Sequence, residues 1–298
     1  MSILKLGIIG FSEGNGHPYS WSAIFNGYDP ALMAQCGFPT IPQYLSRKNF
    51  PQDCIKNTKV THLWTQDYSL SCKIAKTTFI TNVVSEYTSM IGKVDAVLLA
   101  RDDSSKHPLY AIPFLKAGIP IYIDKPLATN VAQATKLISS QLFAGQLFSC
   151  SALAYSSDLI LTNSLKERVG QIMRIEATAP NDWERYSVHI IEPTLNLIPN
   201  SGKVLRYKAL SVGKQRHLSV EFENSIQAKF STTGLKSTEI QIQVYGTKGN
   251  CILTFENIFD AFKSALQDFV DSISQKDVRS PEVHMLRVVE LISLGCKT

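Results

Sequence analysis

The sequence of 298 residues lacks several features that would assign it to a class at once. No apolar run reaches the roughly 20 residues that a membrane-spanning helix needs, so a transmembrane segment is not expected. The N-terminus shows no signal-peptide pattern, which indicates a cytoplasmic location. The six cysteines include no Cys-x-x-Cys pair, and no histidine pair has metal-ligand spacing, so we expect reduced thiols and no metal site.

Charge of either sign is also modest. The formal net charge is +5 and the basic residues form no stripe, which argues against nucleic acid as a partner and permits an anionic small molecule. The share of hydrophobic residues is 44% and that of charged residues 18%, as in ordinary globular proteins. A chain of this length is expected to form two domains, which we place at residues 1–150 and 151–298.

The N-terminus predicts a strand, a glycine-rich turn and a helix. Leu4 to Ile9 is an apolar run, residues 10–16 read Gly-Phe-Ser-Glu-Gly-Asn-Gly, and His17-Pro18 is a typical helix start. Such a turn presents backbone N–H groups to a phosphate. The dinucleotide fingerprint Gly-x-Gly-x-x-Gly is incomplete, because Ser12 stands at its second glycine. A turn that binds nothing is the alternative.

Strands and helices then alternate as far as residue 150, apart from an irregular insertion at about 29–58 whose four prolines argue against helix. Asp95–Ala100 and Ile119–Ile123 are short buried strands, and the second delivers Lys125 and Pro126 at its carboxyl end. This alternation of strands and helices predicts a doubly wound parallel sheet of Rossmann type. Ligands of such sheets bind outside the carboxyl ends of the strands, which makes Lys125 a candidate site residue.

The second half of the chain has a different pattern of predicted secondary structure. Five strands are predicted without intervening helices, at 172–177, 204–212, 217–222, 225–231 and 240–245, followed by two amphipathic helices. We therefore expect an α+β domain with a large, mostly antiparallel open sheet.

Several motifs, taken in order, resemble the Gfo/Idh/MocA family of NAD(P)-dependent oxidoreductases. They cover nearly the whole chain: Gly-Ile-Ile-Gly (7–10), Asp-Ala-Val-Leu-Leu-Ala (95–100), Asp-Lys-Pro-Leu-Ala (124–128), Tyr-Gly-Thr-Lys-Gly (245–249) and Phe-Val-Asp-Ser-Ile (269–273). The resemblance implies a Rossmann domain that binds NAD or NADP. It also implies a lysine in the Lys-Pro motif, often before a cis peptide bond, that contacts substrate and nicotinamide.

The family's Asp-x-x-x-His motif is altered here. His189 matches the histidine that takes the hydroxyl proton, but Arg185 stands where the aspartate should be. Glu184 or Glu192 could supply the missing carboxylate. Arg185 could clamp a substrate anion or form a surface ion pair, and Trp183 and Tyr186 could stack on a sugar ring or pack internally.

Two positions leave the cofactor choice open. The ribose-binding acid expected after the second strand falls at Thr65, and Asp67 could replace it or cap the next helix. Arg101, within Arg-Asp-Asp, could contact the dinucleotide or form an internal salt bridge. The predicted cofactor-binding residues are Gly10, Ser12, Gly14, Gly16, His17, Thr65, Asp67, Arg101, Asp124 and Lys125.

These features predict an enzyme that transfers a hydride between NAD(P) and a hydroxyl or keto carbon of a sugar-like small molecule. Lys125 and His189 are its expected catalytic residues, and a nucleotide sugar of surface polysaccharide synthesis is one candidate substrate. The alternatives are a non-catalytic dinucleotide-binding or scaffold protein and a redox-neutral lyase or glycosidase with tightly held NAD. The resemblance further implies a homodimer or homotetramer formed through the C-terminal sheet.

Overall fold

The computed structural model describes residues 3–297, and the chain divides into two compact units. The first unit contains the chain up to Leu127 together with Thr135–Ser149 and Ala265–Glu282. The second unit contains Ala128–Ala134, Cys150–Ser264 and the chain from Val283 onward. The units are therefore not two contiguous halves, because a late segment of the chain belongs to the first.

The first unit contains a parallel sheet. Its strands are β1 (Leu4–Ile9), β2 (Thr58–Trp64), β3 (Asn82–Val83), β4 (Ala96–Leu99), β5 (Ile121–Ile123) and β6 (Leu147–Phe148). They lie in the order β3-β2-β1-β4-β5-β6, and every neighbouring pair is parallel. The predicted doubly wound Rossmann-type sheet is confirmed. Its strand order reverses between β1 and β4, where ligands of such sheets bind.

Helices connect these strands. They are α1 (His17–Asn26), α2 (Pro30–Met33), α3 (Thr40–Leu45), α4 (Tyr68–Thr77), α5 (His107–Lys116) and α6 (Val131–Ile138). The expectation that residues 29–58 contain no helix was wrong. Pro30 is the first residue of α2 and Pro42 lies in the first turn of α3, where proline costs no helical hydrogen bond.

The insertion packs on the glycine-rich turn. Phe38 lies edge-on to Phe11, with ring centroids 6.0 Å apart. A Cβ added at Gly16 would lie 2.8 Å from Phe38 and would also meet Ile41. The turn is therefore held from outside by side chains of residues 29–58, and position 16 has no room for a side chain.

The second unit contains a mixed sheet. Its strands are β7 (Ile172–Ala179), β8 (Val204–Val212), β9 (Gln215–Phe222), β10 (Gln227–Thr232), β11 (Gln241–Gly246) and β12 (Asn250–Thr254). They lie in the order β12-β11-β7-β10-β9-β8, in which β7 and β10 are parallel and the other pairs antiparallel. The expected mostly antiparallel sheet is confirmed, and β12 is an additional strand.

The remaining helices are α7 (Asn163–Val169), α8 (Trp183–Tyr186), α9 (Val188–Leu197), α10 (Ile258–Gln275) and α11 (Glu282–Gly295). The eight residues of α9 from Val188 to Leu195 are buried. The hydrophobic core of the second unit contains, from this helix, Val188, Ile190, Ile191 and Leu195. Among the described residues, no helix combines the length and the apolar character needed to cross a membrane.

Candidate active site

Lys125 follows β5 at the carboxyl edge of the parallel sheet and precedes a cis peptide bond to Pro126, as the resemblance implied. It is 8% exposed, and its Nζ lies 3.6 Å from Oδ2 of Asp102, which follows the neighbouring strand β4. An ammonium held this far inside requires a partner charge, and Asp102 supplies one.

Asp124, the residue before this lysine, joins the sheet edge to the glycine-rich turn. Its carboxylate accepts hydrogen bonds from Asn15 Nδ2 at 2.8 Å and from the Lys125 backbone N at 2.8 Å, and it lies 2.6 Å from Nδ1 of His17. Burial would raise the pKa of Asp124, but the charges and hydrogen bonds of His17, Lys125 and Asn15 outweigh burial and hold the pKa below its usual range. Asp124 is therefore an ionised, buried carboxylate.

The glycine-rich turn is held by polar side chains from three strand ends. Ser12 Oγ donates to Oδ1 of Asp102 at 2.6 Å and accepts from the Asp102 backbone N at 3.1 Å. Gln66, after β2, accepts from the Phe11 backbone N at 3.0 Å and donates to the Phe11 carbonyl at 2.7 Å. The turn is therefore ordered before any ligand binds.

The first turn of α1 offers few donors for an anion. The His17 backbone N donates to Asn15 Oδ1 at 2.8 Å, and Pro18 has no N–H. The N–H groups of Tyr19 and Ser20 both reach the Gly16 carbonyl. The start of α1 therefore adds little to a phosphate site, and phosphate binding by the glycine-rich turn stays a prediction.

The glycine-rich turn itself has backbone hydrogen-bond donors that a ligand could use. Among residues 3–297, the backbone N–H groups of Ser12, Glu13 and Gly14 have no hydrogen-bond acceptor. Gly14 has φ +80°, and nothing lies within 4 Å of a Cβ built there, so the backbone is open to close approach. Successive free amides of this kind bind phosphate oxygens, and the turn therefore fits a dinucleotide's diphosphate.

The residues predicted near the cofactor's ribose have structural partners. Asp67 caps α4, with Oδ1 accepting from Ser69 N at 2.8 Å and Leu70 N at 3.2 Å. The Thr65 hydroxyl donates to the Asp67 carbonyl at 2.7 Å. The Asp67 cap is thus present, and a ribose contact by Asp67 or Thr65 stays a prediction.

The Arg101 guanidinium is 2% exposed and forms the predicted internal salt bridge. Its Nε and Nη2 donate to the two Asp103 oxygens at 2.9 and 2.6 Å, and Nη1 donates to Gln66 at 3.0 Å. The guanidinium also lies over the Tyr110 ring, 4.7 Å from its centroid. Burial would raise the pKa of Asp103, but Arg101 and Lys106 outweigh it and lower that pKa.

In the second unit, His189 lies in α9, 8% exposed, with Nδ1 2.8 Å from the Ser151 hydroxyl. Glu192 accepts a hydrogen bond from the Ser151 backbone N at 2.6 Å and lies 3.4 Å from Nε2 of His284. Glu192 is thus joined to the residue that holds His189. Ser151, from a different segment of the chain, contributes a hydroxyl that orients the imidazole at Nδ1.

The three predicted substrate residues differ in their surroundings. Trp183 is 1% exposed, its Nε1 donates to the Ile292 carbonyl at 2.9 Å, and its ring lies against Gly295. We therefore correct its expected role from stacking on a sugar to packing in the core, because no face of the ring is open. Arg185 is exposed, and Tyr186 is half-buried with its ring edge-on to His189, centroids 5.5 Å apart.

Four site residues were missed from the sequence: Asn15, Gln66, Asp102 and Ser151. Each is a polar residue next to a strand end or inside the glycine-rich turn, and that position is the signal that could have marked them. Among the described residues, no group of three or more His, Cys, Asp or Glu side chains could hold a metal ion.

Comparison with known proteins gives the family context. A model of the oxidoreductase family with NAD-binding Rossmann fold, Gfo/Idh/MocA, matches residues 40–148. No curated protein matches the sequence.

Solved structures of inositol dehydrogenases share the fold. The apo scyllo-inositol dehydrogenase from Lactobacillus casei has a TM-score of 0.74 at 14% identity, covering 99% of this chain and 95% of that one. The myo-inositol 2-dehydrogenase from Lactobacillus plantarum gives 0.72 at 14%, covering 99% and 96%. The myo-inositol dehydrogenase from Lactobacillus casei, in complex with NAD(H) and myo-inositol, gives 0.73 at 13%, covering 99% and 94%. The family model therefore confirms the resemblance indicated by the sequence motifs over residues 40–148. The solved structures show that the chain shares their fold over nearly its whole length.

Proposed function

We propose that this chain is an NAD-dependent oxidoreductase that acts on a CH–OH group of a polyol or sugar-like substrate. The observation that carries the proposal is the buried Lys125 ammonium at the carboxyl edge of the parallel sheet, beside a turn in which the described residues offer no acceptor to the backbone N–H groups of Ser12, Glu13 and Gly14. The family model spans this lysine, and solved structures of inositol dehydrogenases with the same fold support the choice of substrate class.

The residues that would hold NAD are those of the glycine-rich turn. The amides of Ser12, Glu13 and Gly14 suit the diphosphate, and the Asp124 carboxylate fixes the turn and His17 beside it. When bound, NAD supplies the hydride acceptor. The segment after β2 carries Asp67 and no basic residue from 65 to 68, which favours NAD over NADP.

Lys125 and His189 take the two roles that an alcohol oxidation requires of the protein. The Lys125 ammonium donates a hydrogen bond to the substrate oxygen and stabilises the negative charge that develops on it. The His189 imidazole accepts the hydroxyl proton, a role that contributes about 100- to 10,000-fold when a side chain is positioned for it. Ser151 orients that imidazole through Nδ1.

The test measures cofactor binding and turnover separately. NAD(H) and NADP(H) are titrated into the protein by fluorescence, and NADH formation is then followed with myo-inositol and scyllo-inositol. Saturable NADH binding with steady NADH release upon adding a polyol is expected. Absence of binding for both dinucleotides would overturn the proposal.

The same measurements separate the two alternatives. A scaffold or non-catalytic binding protein would retain NADH and release none with any polyol. A redox-neutral lyase or glycosidase would co-purify with NAD, cleave its substrate and leave the absorbance at 340 nm unchanged between cycles.

A nucleotide sugar of surface polysaccharide synthesis is the finer form of the proposal. The exposed Arg185 guanidinium, next to the half-buried Tyr186, supports an anionic group on the substrate. Comparing kcat/KM for inositols and for a UDP-hexose in wild type and Arg185→Gln tests it. A loss confined to the UDP-hexose is expected, whereas equal effects on both substrates would exclude it.

We also propose a homodimer through the outer face of the second sheet, as a location for the oligomer contact. That face carries both signs of charge, with Arg174, Arg206 and Lys229 beside Glu176 and Glu221, as a self-complementary two-fold contact requires. Light scattering on a size-exclusion column tests it. A mass of one chain across the micromolar range would exclude it.

A further inference from the structure

We infer that Asp102 positions the Lys125 ammonium and that Ser12 links this ion pair to the glycine-rich turn, so that the lysine is set by the same residues that shape the cofactor site. The inference rests on the proposed function for its kinetic consequences. The positioning itself is a property of the chain without any ligand.

The two oxygens of the Asp102 carboxylate serve different partners. Oδ1 accepts the Ser12 hydroxyl at 2.6 Å, and Oδ2 lies 3.6 Å from Lys125 Nζ. The Asp102 backbone N donates back to Ser12 Oγ at 3.1 Å, which closes a reciprocal pair of hydrogen bonds. Ser12, Asp102 and Lys125 are 5%, 8% and 8% exposed, so water competes little for these contacts.

This arrangement fixes the carboxylate more firmly than the amine. A carboxylate with a short bond on one oxygen and its own backbone N–H tied to the same hydroxyl has little freedom to rotate. The long side chain of Lys125 has four rotatable bonds, and it needs such an anchor to keep one orientation. Asp102 is therefore a positioning residue that acts on a substrate through Lys125.

These contacts explain why position 12 carries a serine. It stands at the second glycine of the dinucleotide fingerprint, where its backbone N–H is one of the amides of the turn that have no acceptor among the described residues. A glycine there would leave the same amide and remove the hydroxyl that holds Asp102. A movement of the turn upon diphosphate binding would be transmitted through Ser12 and Asp102 to Lys125, over one hydrogen-bonded contact and one ion pair.

The kinetic test uses Asp102→Asn, Asp102→Glu and Ser12→Ala in the full chain. For Asp102→Asn, kcat with myo-inositol should fall by up to about 100-fold, the loss that a misplaced group produces, while the Kd for NADH changes less than about three-fold. Asp102→Glu should recover part of the loss, and Ser12→Ala should show a smaller loss. The matched control is Asp95→Asn, which removes a carboxylate at the amino end of the same strand, where Asp95 accepts a hydrogen bond from the Lys5 backbone N.

A second readout needs no turnover. Brief treatment of the unliganded protein with acetic anhydride, followed by mass spectrometry, gives the acetylated fraction of Lys125 relative to the exposed Lys116. Release from the ion pair in Asp102→Asn should raise this ratio at least about three-fold, since an ion-paired ammonium is shielded from the reagent. Asp95→Asn should leave the ratio unchanged.

The outcomes separate the two proposals. No polyol turnover by the wild type, with a raised Lys125 labelling ratio in Asp102→Asn, refutes the proposed function and retains the ion pair. Normal wild-type turnover with the same kcat and the same labelling ratio in Asp102→Asn and Asp95→Asn overturns the inference. Should Asp102→Asn fail to fold by circular dichroism, Ser12→Ala and Asp102→Glu decide by the same two measurements.

Discussion

The His17 imidazole and the Asp124 carboxylate lie 2.6 Å apart, and they join the start of the first helix to the end of the fifth strand across 107 positions of sequence. The imidazole also stacks on Trp21, with ring centroids 4.9 Å apart and an interplanar angle of 14°. A buried carboxylate held by such contacts is a structural element as much as a ligand site. Removal of the Asp124 carboxylate should lower the stability of the protein and weaken dinucleotide binding.

Asp124→Asn is expected to lower the free energy of unfolding by about 3 kcal/mol, because His17 and Asn15 would lose the buried carboxylate that they contact. Urea denaturation at pH 7 measures the change. Asp29→Asn is the matched control, since Asp29 caps α2 from a half-exposed position and asparagine is an equally good cap. Equal losses in the two variants would contradict the role of Asp124.

The depressed pKa of Asp124 predicts a pH dependence with a definite sign. A carboxyl group whose pKa is lower when folded contributes stability above its unfolded pKa, about 3.9, and that contribution is lost as pH falls through the folded value. The gap in unfolding free energy between wild type and Asp124→Asn should therefore narrow from pH 5 to pH 2. A gap that widens toward acid would refute the assignment.

Lys125→Met should reduce kcat for polyol oxidation by about 100-fold or more and leave the Kd for NADH within a few-fold, because the lost group acts on the reacting oxygen. Lys116→Met removes an exposed lysine from the same unit and should change neither value. If Lys125 and His189 serve one chemical step, adding His189→Gln to Lys125→Met should cost less than the product of the single effects. Fully multiplicative losses would speak against a shared step.

Ser151→Ala should lower kcat about ten-fold, since the His189 ring loses the hydroxyl on Nδ1 that orients it. The control is Ser157→Ala, an exposed hydroxyl in the same segment of the second unit. A comparable loss of kcat in Ser157→Ala would contradict the role of Ser151.

Gly295→Ala should destabilise the protein by about 1–3 kcal/mol, because the new methyl group would overlap the Trp183 ring. Thermal unfolding measures the effect, and Ser293→Ala, on the same helix and only partly buried, provides the comparison. An unchanged melting temperature for Gly295→Ala would show that the Trp183 ring is free to move, and would reopen its assignment as a substrate residue.

Much of the fold could be predicted because the spacing of apolar residues along the sequence reflects which residues are buried. Runs such as residues 96–100 are apolar throughout, as strands covered on both faces must be, and the alternating pattern of 217–222 marks a sheet with one covered face. The two short helices of the insertion could not be predicted, since α2 and α3 have four and six residues and depend on tertiary contacts.

The site was less predictable than the fold, for a geometric reason. Position at a strand end is readable from sequence, but which side chains then face one another depends on the strand order and on rotamers. Ser12 and Asp102 are 90 residues apart and meet only because β1 and β4 are neighbours. Glu192 was a reasonable partner for His189 from helical spacing, yet its carboxylate reaches Ser151 N and His284.

The cover that Phe38 and Ile41 place on Gly16 changes how this glycine should be interpreted in evolution. Glycine in such a turn is usually counted as a sign of phosphate binding, but here any side chain at 16 would collide with two hydrophobic residues from another segment. Descendant proteins that no longer bind a nucleotide would still require glycine at position 16 for as long as they retain the insertion. Those that lost residues 29–58 would be released from that constraint, so variation at position 16 should follow the history of the insertion and not the history of the cofactor.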